Sequence, residues 1–168
     1  MKRKLVITLK AWPLITLITV ALCFLTQQVA KLFGIELPDQ MNIDIVRRVA
    51  GWNFRFAFLV AQIIILIPAI EELVFRLLLF RLPCRRRNSS TWASARFTSV
   101  AAVVTAVLFS AAHYICQPFP DTAFIALFFF GLTQCWLYRR TQSLLCAILN
   151  HGLFNLVNLI LIFLVPEG

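Results

Sequence analysis

The chain is poor in charge, since only 14% of its 168 residues are Asp, Glu, Lys or Arg and 61% are hydrophobic. Soluble domains carry roughly 25% charged and 45–50% apolar residues. This shortage of charge argues against a soluble globular domain, and the length leaves no room for a separate soluble one. We predict an all-α fold, a polytopic membrane helical bundle that forms a single membrane domain over residues 1–168.

Acidic residues are especially few, with 7 Asp and Glu against 16 Lys and Arg, and the net charge is +9. The basic residues cluster beside apolar stretches, as at Lys2–Lys4, Arg85–Arg87 and Arg139–Arg140. This is the positive-inside pattern of membrane proteins, and it suits anionic lipid headgroups. We therefore expect membrane lipid as a partner and no nucleic acid.

Motifs for metal, disulfide or serine chemistry are absent. The five cysteines are scattered and form no CxxC, and the chain has neither HExxH nor GxSxG. Most of the cysteines lie in apolar stretches, where cysteine behaves as a small hydrophobic residue. Without these motifs the sequence gives no sign of a disulfide framework, a zincin or a serine hydrolase. We expect no cofactor and no bound metal.

Five apolar stretches approach the length of about 20 residues that a membrane span needs, roughly 12–33, 55–82, 97–117, 122–139 and 143–165. The basic clusters precede the first span and separate the second from the third and the fourth from the fifth. This distribution predicts a multi-pass protein of the cell membrane with a cytoplasmic N-terminus and an external C-terminus. The segment 34–54 is either a loop or an amphipathic helix at the interface.

Three ionisable residues fall within the second span: Glu71, Glu72 and Arg76. A charge at the bilayer centre costs about 2.5–3.5 kcal/mol on insertion scales, so such residues are candidates for function. Glu72 and Arg76 are four positions apart on one helix face, which predicts an ion pair. Glu71 lies about 100° round the helix and lacks a partner there, so we assign it as the reactive carboxylate. Alternatively, both glutamates pair with basic groups elsewhere and only hold the bundle together.

The only two histidines, His113 and His151, fall in the third and fifth spans. Asn155 follows His151 by four positions and faces the same way. Alone, each of these residues would be interpreted as a hydrogen-bonding group between membrane helices. Together with a carboxylate they offer hydrolysis without a Ser, Cys or Thr nucleophile. A carboxylate and an imidazole activate water, and a second imidazole and an amide stabilise an oxyanion.

Three motifs stand in order on three spans: EExxxR at Glu71–Arg76, FxxxH at Phe109–His113 and HxxxN at His151–Asn155. In this order they resemble the CAAX prenyl protease and bacteriocin-processing family, also called CPBP or Abi, of intramembrane glutamic endopeptidases. The resemblance extends over about residues 60–160 and implies a catalytic core there. Each motif alone is weak, and the ordered set in an all-membrane chain is specific.

The resemblance also implies a role for each residue. Glu71 would be the general base that activates water, and His113 would help to orient that water. His151 and Asn155 would form the oxyanion hole. Two further residues would support the site through their ion pair: Glu72 and Arg76.

The expected function is therefore metal-independent hydrolysis of a peptide bond in a membrane-associated protein or peptide. A lipid, a second copy or a partner subunit is expected to complete the cavity of so small a core. Three other functions stay open at this point. They are a non-catalytic bacteriocin-immunity or scaffold protein of the same family, a zinc-dependent membrane hydrolase with His113, His151 and a glutamate as ligands, and a proton-coupled transporter.

Overall fold

The computed structural model describes residues 1–35, 41–51, 53–85, 92–116 and 121–164. Within these ranges every regular element is a helix and no strand occurs. The six helices are α1 (Lys2–Leu32), α2 (Met41–Val49), α3 (residues 54–85), α4 (Trp92–Cys116), α5 (Asp121–Thr141) and α6 (Leu144–Leu164). The predicted fold class, an all-α membrane helical bundle, is confirmed.

Three of the predicted spans have the length and composition needed to cross a membrane: Lys2–Leu32, Thr98–Ile115 and Leu144–Leu164. The first helix begins at Lys2 rather than at residue 12, because it continues beyond its most apolar part. Helices α3 and α5 cover the other two predicted spans. That these two cross the membrane stays a prediction.

The segment between the first two spans contains α2, so the helical alternative for 34–54 is correct over Met41–Val49. Val46 is buried, whereas Arg48, two positions further on, is exposed. Arg47 fastens α2 to the end of α6, because its Nη2 donates a hydrogen bond to the carbonyl of Ile162 over 3.0 Å. Its position at a membrane interface stays a prediction.

Helix α3 changes type along its length. Its α-helical stretches are Phe54–Ala61, Ile67–Glu72 and Leu82–Arg85, and its π-helical stretches are Gln62–Leu66 and Leu73–Arg81. In a π-helical turn the N–H bonds the carbonyl five residues back, as the N–H of Ile67 does with Gln62. Such turns are rare and occur frequently at functional sites. Both glutamates therefore lie on a short α-helical stretch between two π-helical ones.

Pro68 and Gly152 shape the contact between α3 and α6. Proline has no backbone N–H, so carbonyls in the preceding turn lose a donor. Asn155 of α6 supplies a replacement, since its Nδ2 donates to the carbonyl of Ile63 over 2.9 Å. The carbonyl oxygen of Ile64 lies so close to Gly152 that a β-carbon at that position would collide with it. Glycine is needed there because any side chain would push the two helices apart.

Helix α6 packs against α1, α3 and α5, while α4 packs against α5 and the later part of α3. One apolar cluster joins the five longest helices near mid-bundle: Ile15, Phe75, Phe109, Phe130 and Phe154. A second cluster lies further along α3 and α5 and contains Phe80, Cys135 and Tyr138. The two histidines predicted to be catalytic lie beside the first cluster, because their rings contact Phe109 and Phe130.

Candidate active site

The four residues predicted to be catalytic line one cavity of about 460 Å³: Glu71, His113, His151 and Asn155. Most of the remaining wall is apolar and is contributed by all six helices. A cavity of this size with a few convergent polar groups is the usual form of a ligand site. The convergence expected from the sequence is therefore present, and His113 faces the cavity rather than only lipid.

Glu71 lies between the two histidines. Its Oε1 is 3.6 Å from Nε2 of His113, and its Oε2 is 3.5 Å from Nε2 of His151. Both distances exceed the roughly 2.7–3.2 Å of a direct hydrogen bond. Oε2 is buried and has no hydrogen-bond partner among the residues described. Because buried polar atoms are normally paired, this carboxylate is placed to bind a small polar molecule together with the imidazoles.

Glu72 has the opposite environment, since its side chain and that of Arg76 are wholly buried. Its Oε2 is 2.9 Å from Nε of Arg76, and its Oε1 accepts a hydrogen bond from Nδ1 of His151, also over 2.9 Å. The arginine N–H is not aimed at Oε2, so the first contact is an ion pair without a well-aligned hydrogen bond. The predicted contact is present, and His151 is a second partner that the sequence did not indicate.

Two buried amides hold Glu72 in place. Gln134 of α5 donates from Nε2 to Oε1 of Glu72 and to the carbonyl of Ala147, each over 3.2 Å. Its Oε1 accepts a hydrogen bond from Nδ2 of Asn150 over 3.1 Å. Gln134 was not among the predicted site residues, although a glutamine inside an apolar span is a signal of hydrogen bonding between helices. This network ties α3, α5 and α6 together.

Hydrogen bonds fix which ring nitrogen of each histidine faces Glu71. Nδ1 of His113 lies 2.9 Å from the carbonyl oxygen of Phe109. A carbonyl only accepts, so Nδ1 carries the proton of that bond. Nδ1 of His151 is likewise directed at the carboxylate of Glu72. In both rings Nε2 is therefore the nitrogen that faces Glu71.

Aromatic rings hold both imidazoles and the arginine. The Phe109 ring lies 4.4 Å from the His113 ring, between centroids, and the Arg76 guanidinium carbon lies 5.2 Å from the Phe109 centroid. Phe130 contacts His151 edge-on with centroids 5.1 Å apart. An arginine over an aromatic face gains a cation–π attraction. The rings thus restrict the movement of the groups that line the cavity.

Asn155 serves both the fold and the cavity. One N–H of its amide is used on the Ile63 carbonyl. A side-chain amide carries two N–H groups, so the second is the donor available to a ligand.

Metal binding gains no support from the geometry. Across the described ranges, no group of three or more His, Cys, Asp and Glu side chains is arranged to hold a metal ion. The zinc alternative was based on His113, His151 and a glutamate as ligands, and it stays a hypothesis for experiment.

The region of the chain that contains these residues matches the model of a known protein family. The model of the Rce1-like family, described as type II CAAX prenyl endopeptidase Rce1-like, matches residues 52–157, which is more than half of the chain. The chain belongs to this family. The resemblance seen in the three motifs is confirmed, and the kind of function that the family implies is a CAAX-type membrane protease. No curated protein and no solved structure matches the chain.

Proposed function

We propose that this chain is an intramembrane endopeptidase that hydrolyses a peptide bond of a membrane-associated protein with water activated at Glu71. One observation carries the proposal: a carboxylate lies between two imidazole Nε2 atoms in a mostly apolar cavity. A general base must lie within hydrogen-bond reach of the proton that it takes, directly or through one water. An oxygen about 2.8 Å from both a carboxylate oxygen and an Nε2 atom fits separations of 3.5–3.6 Å.

In the first step Glu71 takes a proton from water, and the water oxygen attacks the peptide carbonyl carbon. Nε2 of neutral His113 has a lone pair, because Nδ1 holds the proton, and it orients the water by accepting its second hydrogen. The proton on Glu71 then passes to the amide nitrogen as the carbon–nitrogen bond breaks. The same carboxylate therefore acts first as a base and then as an acid.

His151 and Asn155 stabilise the oxyanion in this proposal. The second N–H of Asn155 is one donor. Nε2 of His151 is a donor only when the ring carries both protons, since Nδ1 is directed at Glu72. The buried carboxylate of Glu72 stabilises that imidazolium and fixes its orientation, as the aspartate of a Ser-His-Asp triad does for its histidine.

The charges of the cluster support this protonation state. Ionised Glu71 and Glu72 balance protonated His151 and Arg76, so the four groups together are neutral. Burying an uncompensated charge is costly. A neutral cluster therefore lets two carboxylates persist inside an apolar bundle, with His113 uncharged.

We also propose the orientation expected from the sequence, with the N-terminus in the cytoplasm and the C-terminus outside. The support is the clustering of basic residues at one end of the bundle, where Arg81, Arg139 and Arg140 are exposed. Basic residues beside membrane spans are retained on the cytoplasmic side.

The test uses purified full-length protein in liposomes with a library of membrane peptides, and the products are identified by mass spectrometry. Wild type and Arg140→Gln should cleave the same peptides, and Glu71→Gln should not. Cleavage that survives Glu71→Gln would contradict the mechanism. Cleavage that a chelator abolishes and zinc restores would favour the zinc hydrolase, and cleavage of no peptide would favour the immunity or scaffold role.

A further inference from the structure

One polar side chain of the cavity takes no part in the proposed reaction. Besides the four residues predicted to be catalytic, three lining side chains can form hydrogen bonds: Thr19, Cys23 and Asn158. Thr19 is only 3% exposed and donates its hydroxyl hydrogen to the carbonyl of Ile15 over 2.8 Å. The thiol of Cys23 is only a weak donor and a weak acceptor. Asn158 is therefore the strongest hydrogen-bonding group of the lining that the proposed mechanism leaves unused.

The fold uses only part of the Asn158 amide. Its Nδ2 donates to the carbonyl of Phe154 on the same helix over 2.9 Å. A side-chain amide has two N–H groups and a carbonyl oxygen, and neither the second N–H nor Oδ1 of Asn158 has a partner among the residues that the structure describes. An asparagine that only helps membrane helices to pack hydrogen-bonds a neighbouring helix, and this one bonds its own. The amide thus keeps a donor and an acceptor for a ligand in the cavity.

Helical geometry places Asn158 in line with the residues proposed to bind the oxyanion. Seven positions separate it from His151, which corresponds to about 20° around the axis of α6 and roughly 10.5 Å along it. A scissile carbonyl held by both His151 and Asn155 lies roughly midway between them along the axis, so Asn158 is roughly 7.5 Å further on. The three side chains therefore form one polar stripe along the cavity wall.

An extended peptide matches the spacing of this stripe. Two residues of extended chain span roughly 6.7 Å, and residues two apart face the same way. In a β-ladder the N–H and the C=O of one residue face the same neighbour, and a side-chain amide offers a matching donor and acceptor. A peptide in a mostly apolar cavity needs such a partner, because an unpaired N–H or C=O is costly to bury.

We propose that Asn158 binds the main chain of the substrate and so sets which peptide bond lies at Glu71. Its second N–H donates to the carbonyl of the residue two positions from the scissile carbonyl, and its Oδ1 accepts from the N–H of that residue. The inference rests on the proposed function for the scissile bond and on the free amide for the contact. Because main-chain groups are common to all residues, Asn158 positions the peptide without selecting its side chains.

The contact is tested with a peptide that the full-length wild-type protein cleaves in liposomes, identified from the library of membrane peptides. Asn158→Leu removes both hydrogen-bonding groups and nearly keeps the size of the side chain. Their loss should raise KM roughly 5- to 100-fold, the effect of buried polar groups left unpaired, with kcat within about twofold of wild type. The control is Ile160→Leu on the same helix, at a residue that is 48% exposed and outside the lining. An unchanged KM in Asn158→Leu, or a fall in kcat alone, would overturn the proposal.

Ester analogues of the same peptide test the contact without any change to the protein. Each analogue replaces one amide N–H near the scissile bond by an ester oxygen. In the wild type, the analogue altered at the second residue from the scissile carbonyl, on one side of it, should raise KM more than its neighbours do. In Asn158→Leu the same analogue should bind as well as the parent peptide, because the two changes remove one shared contact. An equal rise in KM in both proteins would overturn the contact.

A binding assay separates failure of this contact from failure of the proposed hydrolysis. Glu71→Gln in liposomes is incubated with the peptide library, and the retained peptides are quantified by mass spectrometry. Adding Asn158→Leu to this variant should release them. Release by Asn158→Leu when the wild type cleaves no peptide would support the contact and contradict the hydrolysis. Equal retention by the two variants would overturn the contact even if the wild type cleaves, and neither retention nor cleavage of any peptide would overturn both.

Discussion

The two halves of the bundle contrast in how they treat polar side chains. In the half of the bundle that contains Glu72, Arg76 and Gln134, which we call the sealed half, these three side chains are wholly buried and contact one another or their neighbours. In the cavity half, Glu71 keeps 22% of its side chain exposed, and one of its carboxylate oxygens has no hydrogen-bond partner among the described residues. Adjacent glutamates on one helix therefore lie on opposite sides of a boundary between a packed interior and an open site.

This contrast shows how a membrane helix tolerates two acids. The sealed carboxylate is paired and hydrogen-bonded, which buried charges require. The carboxylate of Glu71 has one oxygen without a hydrogen-bond partner among the described residues. A carboxylate that only supports the structure would have such an oxygen paired, whereas a catalytic carboxylate needs one that can bind water or substrate. His151 connects the halves, because its Nδ1 contacts Glu72 and its Nε2 faces Glu71. The sealed half thus positions a histidine that lines the cavity.

The largest stability effect is expected from Arg76→Leu in the sealed half. Removing one member of a buried ion pair leaves the other charge uncompensated and lowers stability by about 3–5 kcal/mol. The measurement is the free energy of unfolding in detergent by denaturant titration. Arg140→Leu, at an exposed arginine, is the matched control and should change it by less than about 0.5 kcal/mol. Equal losses in the two variants would show that the buried pair has no special structural role.

A smaller loss is expected from Gln134→Met, which keeps the size of the side chain and removes the amide. Asn150 loses its acceptor, and a buried group left unpaired costs about 1–3 kcal/mol, whereas Glu72 loses one donor and keeps the hydrogen bond from His151. The control is Gln142→Met, at an exposed glutamine. Cleavage should also slow, since Glu72 orients His151. A variant as stable as wild type would remove Gln134 from the supporting network.

The smallest of the three losses is expected from Gly152→Ala at the contact between α3 and α6. The added methyl would meet the Ile64 carbonyl, and such overpacking costs typically about 1–3 kcal/mol. Gly131→Ala is the comparison, because its β-carbon would lie 3.0 Å from Cα of Ala106 and needs a smaller adjustment. Unfolding measured side by side should rank Gly152→Ala as the less stable variant. The reverse rank would contradict the close approach of the two helices.

Helical spacing predicted much of this arrangement. The four-residue separation of Glu72 from Arg76 predicted their contact, and the spacing of His151 and Asn155 placed both on the cavity wall. Apolar length predicted the helices. These are properties of single helices, which sequence period determines.

Contacts between helices were harder to predict. The hydrogen bonds of Gln134 to Glu72 and of His151 to Glu72 join residues far apart in the chain, and a single sequence does not say which helices pack. The π-helical stretches of α3 were also missed. Pro68 was a visible signal of a changed hydrogen-bond pattern, but the partner of the freed carbonyl, Asn155, lies on another helix. The single-domain prediction for residues 1–168 stays a prediction.

The most direct test of the two-glutamate account measures cleavage and unfolding for Glu71→Gln and Glu72→Gln in the same liposome preparation. Glu71→Gln should lose about 10²–10⁴-fold in cleavage rate, the usual contribution of a general base, with a smaller loss of stability than Glu72→Gln, because the Glu71 side chain is partly exposed whereas that of Glu72 is wholly buried. Glu72→Gln should unfold more easily by about 3–5 kcal/mol, because Arg76 loses its counter-charge in a buried site. The division of roles between the glutamates would be contradicted if Glu71→Gln cleaved at the wild-type rate, or if the two variants had equal free energies of unfolding.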